Sequence, residues 1–488
     1  MDTQHRAVDA AERHCRTAGP AIISEFADLL ALPNVSADLP DVERVAAHIV
    51  TMLDQRGVTA RTEQIVGSAP VVIGHRTIDP DAPTIGVYAH YDGQPVTGQD
   101  WHTPPFTPTI VDSDGNTIDR ISDAIDPHWR IYARSSSDDK APVQALVTAL
   151  DAMATADVEP TVNLVCLFEG QEEAGSPDLS AYLDAHADEL DADVWLICDG
   201  PFHQTGQPQV IFGVRGIAQV DITVYGPTRP LHSGHYGNWV PNPTWTLVQL
   251  LASMRDREGR ITIRGFLDGV VEPTPVERKA IGDMPPYEEQ LLEDLAVRTP
   301  EGGGASLVER MYEPSFNLRG LDGGEAGPGA ANVLPTSATA SLDIRLPPGH
   351  DPNTMLDLVE EHLRSQGVHV VHDEPTPEVL RSHDVVARVT RDPHYTGMRV
   401  PIDAPVAQAV LAAADVAALG EEVVAVPTLG GSVPIVHFAD VLGVPTIITP
   451  MANHDNNQHA ANENIRIANL FYGVRMMAAM LTIDSIDA

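Results

Sequence analysis

The chain has 488 residues, 43% hydrophobic and 20% charged, the composition of a soluble globular protein long enough for two substantial domains. Asp and Glu total 69 against 30 Lys and Arg, a formal net charge of −39. A chain this acidic is repelled by phosphate backbones and anionic lipid, which excludes nucleic acid and membrane surfaces as expected partners. Cys15, Cys166 and Cys198 are too few and too scattered for a disulfide framework or a Cys-rich zinc site. The first residues contain no apolar signal core, and no run approaches the roughly 18 apolar residues that span a bilayer. A cytoplasmic location is therefore expected.

Strand-like apolar runs at 83–92, 160–170 and 192–200 enclose two stretches of helical spacing, 142–154 and 179–190. This alternation predicts an α/β layer with a largely parallel sheet. Around residue 213 the pattern changes. Residues 216–226 and 336–347 alternate apolar and polar side chains with period two, as half-exposed antiparallel strands do, and a Pro- and Gly-rich stretch lies between them. The first pattern returns past residue 400, with a helix at 404–419, a short strand at 443–450 and a closing amphipathic helix at 464–483. The expected fold class is α/β, one domain built from residues 1–212 and 401–488 and interrupted by an inserted α+β domain at 213–400. Residues 112–130 look like an acidic insertion, with a hairpin turn expected at Asp112-Ser113-Asp114-Gly115.

Each strand candidate of the first half ends in acids or histidine. The first runs into His90-Tyr91-Asp92, the second into Glu169 through Glu173, the third into Asp199, while Asp138-Asp139-Lys140 stands just ahead of a helix. Ligands of open α/β sheets bind beyond the carboxyl ends of the strands, so these side chains are expected to share one crevice. Taken singly, each is an ordinary solvated strand-end residue. Together, buried carboxylates at short range need a compensating cation. Imidazole and carboxylate without thiolate suit zinc, manganese or cobalt, and two divalent ions would be balanced by three carboxylates and one hydroxide.

Five segments carry a family resemblance. They are His90-Tyr91-Asp92-Gly93-Gln94-Pro95-Val96, Ser137-Asp138-Asp139-Lys140, Phe168 through Ser176 (FEGQEEAGS), Asp199 at a strand end, and His459 in His-Ala-Ala-Asn-Glu. In this order they resemble, over nearly the whole chain, metallopeptidase family 20. That family of dinuclear zinc peptidases and acylases holds carnosinase-like dipeptidases, glutamate carboxypeptidase, aminoacylase and succinyl-diaminopimelate desuccinylase. The resemblance implies a mixed-sheet zinc-exopeptidase domain with an inserted dimerisation (lid) domain, two divalent ions and a homodimer. It implies that Asp138 bridges the ions, His90 and Asp199 completing one and Glu173 and His459 the other. Asp92 would orient the His90 ring. Glu172 would be the general base toward the water between the metals. The Asp138–Asp139 peptide would be cis.

The inserted segment matches too. Leu231-His232-Ser233-Gly234 resembles a motif whose His stabilises the oxyanion in the active site of the other subunit. Asn332-Val333-Leu334-Pro335 and Asp343-Ile344-Arg345-Leu346 resemble return strands, with Asn332 facing substrate and Arg345 gripping a substrate carboxylate. Ser432, in Gly430-Gly431-Ser432, resembles a second ligand of that carboxylate. Two departures stand near Asp138: Ala133-Arg134-Ser135 replaces the family's Gly-Arg-Gly, and Ala141 replaces the Gly after the Lys. The implied activity is hydrolysis of a small peptide by a dipeptidase or exopeptidase. An alternative with the same centre is an amidohydrolase of N-acyl amino acids. A non-catalytic, metal-stabilised binding protein would be expected to lack a ligand or Glu172, and all six residues are present.

Overall fold

The computed structural model describes residues 2–118, 125–301, 303–431 and 436–486. Eight strands form the larger sheet, in the order Thr59–Glu63, Val71–Arg76, Asn163–Glu169, Thr84–His90, Val194–Ile197, Thr446–Ile448, Gln209–Ile211 and Val424–Val426. The central four run parallel, and antiparallel pairs flank them, so the sheet is mixed. Thr84–His90 and Asn163–Glu169 are buried along nearly their whole length, which accounts for their near-continuous apolar sequences.

One face of this sheet is covered by Thr3–Leu30, Lys140–Thr155, Pro405–Ala417 and Ile467–Met480. Lys140–Thr155 is buried almost all round, as its apolar sequence requires of a central helix. Thr3–Leu30 begins where Asp2 accepts the His5 N–H at 2.9 Å, and it buries a stripe that includes Ala7, Ala11, Cys15, Ile22 and Phe26. On the other face the Trp195 indole packs 4.8 Å from the Phe438 ring, with Tyr88 at 5.3 Å.

A five-stranded sheet draws on later residues, in the order Ser315–Asp322, Ser337–Leu346, Gly216–Tyr225, Val386–Tyr395 and His369–Val371. Its period-two pattern puts Ala218, Val220, Ile222 and Val224 into a second core with Leu342 and Ile344, under the helices Pro243–Met254 and Pro352–Ser365. Where the chain passes between the two sheets, Gly213–Val214 pairs with Met398–Arg399. Residues 109–118 make the expected hairpin, the Gly115 N–H donating to the Asp112 carbonyl at 3.1 Å.

Two expected helices are shorter than their periodicity. The one expected at 179–190 is Leu179–Ala185, because His186 turns onto Glu189 at 2.6 Å and Glu189 also meets Arg61 at 2.6 Å. The closing helix begins at Ile467, since Asn464–Arg466 pairs with Arg130–Tyr132 as a strand.

Gly86 lies under the Trp195 indole, and a Cβ there would come within 2.3–2.6 Å of the ring atoms. Gly86→Ala is expected to cost about 1–3 kcal/mol through overpacking. Gly282, in the exposed helix Pro275–Asp283 with nothing near its Cβ position, should instead gain up to about 1 kcal/mol as Ala. Melting temperatures of the two variants should therefore move in opposite directions.

Candidate metal centre

The central strands deliver their side chains to one end of the larger sheet, and the five expected ligands meet there. Asp138 stands between two histidines. Its Oδ1 is 2.8 Å from His90 Nε2 and its Oδ2 is 3.0 Å from His459 Nε2, while His459 Nε2 is 3.4 Å from Glu173. Two trios result, His90–Asp138–Asp199 and Asp138–Glu173–His459, each with ligand atoms within 4.8 Å of one another. A single carboxylate thus presents one oxygen to each trio.

Asp92 ties the first segment to the third. One carboxylate oxygen is 3.3 Å from His90 Nδ1 and accepts the Glu172 N–H at 3.1 Å; the other accepts the Glu173 N–H at 3.1 Å and the Ser36 hydroxyl at 2.6 Å. Asp92 therefore orients the His90 ring and also caps the short turn Glu172–Ala174. Gln94 donates to Glu173 at 2.7 Å, and Glu172 Oε2 comes within 4.0 Å of His90 Nε2.

Burial and mutual repulsion decide the electrostatics. Burial, then the Asp138 charge, lifts Glu173 to about 7 and Asp199 to about 6. Burial, together with the charges of Asp199, Asp138 and Glu173, holds Glu172 well above the carboxylate range. Asp138 goes the other way, because hydrogen bonds from His459 and His90 outweigh its burial. His459, bonded to Asp138, rises to about 9.

The Asp138 loop is held from behind by Glu463, the last residue of the His-Ala-Ala-Asn-Glu segment that begins at His459. Its buried carboxylate accepts from Arg134 at 2.8 Å, the Ser135 N–H at 2.9 Å, and the Ser137 N–H, Ser137 hydroxyl and Asp138 N–H at 3.0 Å each. Five donors aimed at one buried acid more than 320 residues away are invisible to spacing rules. Ser135 takes a left-handed backbone, φ 60°, where a glycine is the ordinary choice. Its hydroxyl accepts from Asn34 at 2.8 Å and donates to the Asp92 carbonyl at 3.3 Å. The Asp138–Asp139 peptide is cis. The loop that carries His459 is rich in asparagine for a similar reason: His459, Asn457 and Asn462 all have positive φ, and Asn456 accepts the Gln458 N–H at 2.8 Å.

The remaining expected residues lie elsewhere. His232 and Asn332 are exposed and lie at the separate two-stranded pair Leu231–His232 and Val333–Leu334, where the Ser233 N–H donates to the Asn332 carbonyl at 2.9 Å and His232 accepts the Gly234 N–H at 3.1 Å. None of the hydrogen bonds or ion pairs described for either residue reaches the His90–His459 cluster. Arg345 is half-buried beside Asp343, in a pocket that Gly430 and Gly431 also line. Ser432 lies outside the described residues.

Glu463→Gln would leave Arg134 buried against a neutral amide and turn an NH₂ toward backbone donors. Breaking a buried pair in this way typically costs about 3–5 kcal/mol. A melting temperature within a degree of wild type would contradict this account of the loop.

Comparison with known proteins gives one picture. Cys-Gly metallodipeptidase dug1 of Schizosaccharomyces pombe is 27% identical over 475 residues, 93% of each chain. Human Beta-Ala-His dipeptidase is 26% identical over 93% of this chain and 84% of its own. The solved structure of the M20 family metallo-carboxypeptidase Sso-CP2 from Sulfolobus solfataricus superposes with a TM-score of 0.76 at 26% identity, covering 95% of this chain and 99% of that one. Residues 86–483 match Peptidase family M20/M25/M40, and the chain belongs to that family.

Proposed function

We propose that the protein is a dinuclear metallodipeptidase that hydrolyses the peptide bond of small dipeptides. In this reading His90 and Asp199 hold one divalent ion, Glu173 and His459 the other, and Asp138 both. Zinc is the favoured metal, and manganese or cobalt suits the same imidazole and carboxylate donors. The observation that carries the reading is the Asp138 carboxylate with one oxygen toward each histidine, among acids that burial and repulsion have raised. Such a cluster fits cations because protons are otherwise its only source of neutrality.

When bound, the ions supply Lewis-acid polarisation of the scissile carbonyl. Glu172 is the proton carrier, taking a proton from the attacking water and delivering it to the leaving amine. Cations beside it would draw its raised pKa back toward neutrality, where a general base works best. Asp92 fixes the Glu172 turn and the His90 ring together. Arg345, with Ser432, receives the substrate carboxylate.

A homodimer is part of the proposal, with His232 and Asn332 serving the partner's centre and residues 213–400 forming the dimerisation domain. Support comes from Trp239 and Trp245, 79% and 67% exposed, and from the edge strand Ser315–Asp322, which carries exposed Leu318 and Leu321. A cytoplasmic location is proposed with it, since Cys15, Cys166 and Cys198 are all buried free thiols.

Glu172→Gln should retain about two divalent ions per chain, measured by elemental analysis, while hydrolysis of a dipeptide panel falls by at least 10²-fold. Near wild-type turnover in that variant would exclude Glu172 as the base. Cleavage of N-acetyl or N-succinyl amino acids in place of dipeptides would move the substrate assignment to the amidohydrolases.

Removing the metal has a pH signature. Glu173 and Asp199 are raised to about 7 and about 6 from ordinary values of 4.5 and 3.8, so the folded chelated chain holds protons that the unfolded chain releases. His459, raised to about 9 from 6.5, acts in the same direction, and Asp138 stays ionised throughout. Chelated protein should therefore lose stability as pH rises from about 5 to 8, and divalent ions should abolish the loss. Melting curves with and without chelator at both pH values check this.

A further inference from the structure

Glu169 is a buried acid that the reaction described above does not use, 3% exposed at the last position of the strand Asn163–Glu169. It pairs in register with His90, and its carbonyl accepts the Tyr91 N–H at 2.8 Å, so its backbone is fixed to the ligand strand beside it. One carboxyl oxygen, Oε2, receives two hydroxyls, that of Tyr88 at 2.6 Å and that of Ser176 at 3.1 Å. Tyr88 belongs to the aromatic core with Phe438. Ser176, 4% exposed, stands seven residues further along, on the far side of the turn that carries Glu172.

That turn has little packing to fix it. Glu172–Ala174 includes no buried residue, and a Cβ at Gly175 would meet nothing within 4 Å. Segments with so few buried contacts open readily unless hydrogen bonds hold them. On the leading side Asp92 accepts the Glu172 and Glu173 N–H groups at 3.1 Å each. On the trailing side the chain reverses through Gly175 and Ser176, φ 88° and 50°, and the Ser176 N–H returns to the Gln171 carbonyl at 3.0 Å. A left-handed serine persists where its surroundings over-determine it, and here the bond from its hydroxyl to Glu169 does so. The two acids of the turn depend on this differently. Gln94 holds the Glu173 carboxylate at 2.7 Å. Among the described residues no hydrogen bond holds the Glu172 carboxylate, which comes within 4.0 Å of His90 Nε2. The backbone of the turn therefore sets where Glu172 stands.

Resting on Glu172 as the general base, we infer that Glu169 is its positioning residue: the Ser176–Glu169 hydrogen bond closes the turn onto the sheet and fixes the place of the Glu172 carboxyl. Asp92 and Glu169 clamp the turn at its two ends. Burial lifts Glu169 to about 7 against the Tyr88 bond, which makes a neutral amide a close replacement. Because both hydroxyls donate to one oxygen, Gln can accept both, whereas Met can accept neither.

The test uses the metal-loaded enzyme with whichever dipeptide or N-acyl amino acid it cleaves. Ser176→Ala and Ser176→Gly both remove the hydroxyl, but glycine tolerates the left-handed backbone, so its melting temperature should equal or exceed that of the alanine variant. Both should lower kcat about tenfold or more, with KM within about twofold and about two ions per chain retained, since a misplacement of about 1 Å can cost about 10² in rate. Glu169→Gln should keep kcat within about threefold, and Glu169→Met should lose as much as Ser176→Ala. Tyr88→Phe removes the other hydroxyl and should lower the melting temperature without matching that loss of kcat, a contrast that a merely structural role would not produce. Wild-type kcat in Ser176→Gly, or equal losses in Glu169→Gln and Glu169→Met, overturns the inference and leaves Glu172 as the base. Full activity of Glu172→Gln brings down the base reading by itself. Amide hydrogen exchange reads the clasp without turnover: residues 172–176 should exchange faster in Ser176→Ala than in wild type, and unchanged exchange overturns the clasp even if no amide is cleaved.

Discussion

Asp138, Asp199, Glu172 and Glu173 crowd one end of a sheet, offset among the described residues by His90 and His459. Two like charges about 4 Å apart repel by about 4 kcal/mol even at an effective dielectric constant near 20. Burial removes the water that would otherwise screen them, and Glu173 and Asp199 respond by shifting toward their protonated forms. Much of the local architecture can be understood as a means of keeping these acids in register. Asp92 locks His90 to the Glu172 turn, Gln94 holds Glu173, and Glu463 gathers the backbone around Asp138. An arrangement held this firmly against its own repulsion is preorganised for positive charge.

The parallel strands were legible because burial on both faces leaves near-continuous apolar runs, and each run stops where the polar crevice begins. That is why His90, Glu172, Glu173 and Asp199 stand out in the sequence. Asp138 was placed by its position ahead of a buried helix, and His459 by family resemblance alone. The five-stranded sheet was legible for the opposite reason. One of its faces is a core and the other is not, so Ala218, Val220, Ile222 and Val224 alternate with polar residues.

What stayed hidden depends on contacts distant in sequence. Glu463 lies more than 320 residues from Ser135 and Ser137, and nothing local marks it as an acceptor of five hydrogen bonds. Lys140 reads as a helix-start charge, yet its ammonium is buried and donates to the carbonyls of Leu29 and Leu32 at 3.2 and 2.9 Å, fastening the end of the first helix beside the centre. Asn464–Arg466 continues a helical periodicity but is drawn into a strand by Arg130–Tyr132. In this last case tertiary pairing overrides a local preference worth only tenths of a kcal/mol.

The segment between Glu277 and Tyr312 is anchored differently from the strands of the five-stranded sheet. Arg399, on the strand pair where the chain passes between the sheets, meets Glu277 at 2.8 Å and stacks 4.4 Å over the Tyr312 ring, gripping both ends of the segment that contains Leu291 and Leu295. Tyr287 lies 5.0 Å from the His203 ring, and Ala280 and Met284 pack against the clusters of the larger sheet. The first part of this segment therefore packs with the larger sheet, whereas Arg345 is on the smaller one. Hinge positions are the few residues at which such a connection absorbs a rotation, and Gly213–Val214 and Met398–Arg399 are the paired strands at this passage. The strand pair at this passage thus ties the smaller sheet to the larger one, and Arg399 ties the segment between Glu277 and Tyr312 to the same place.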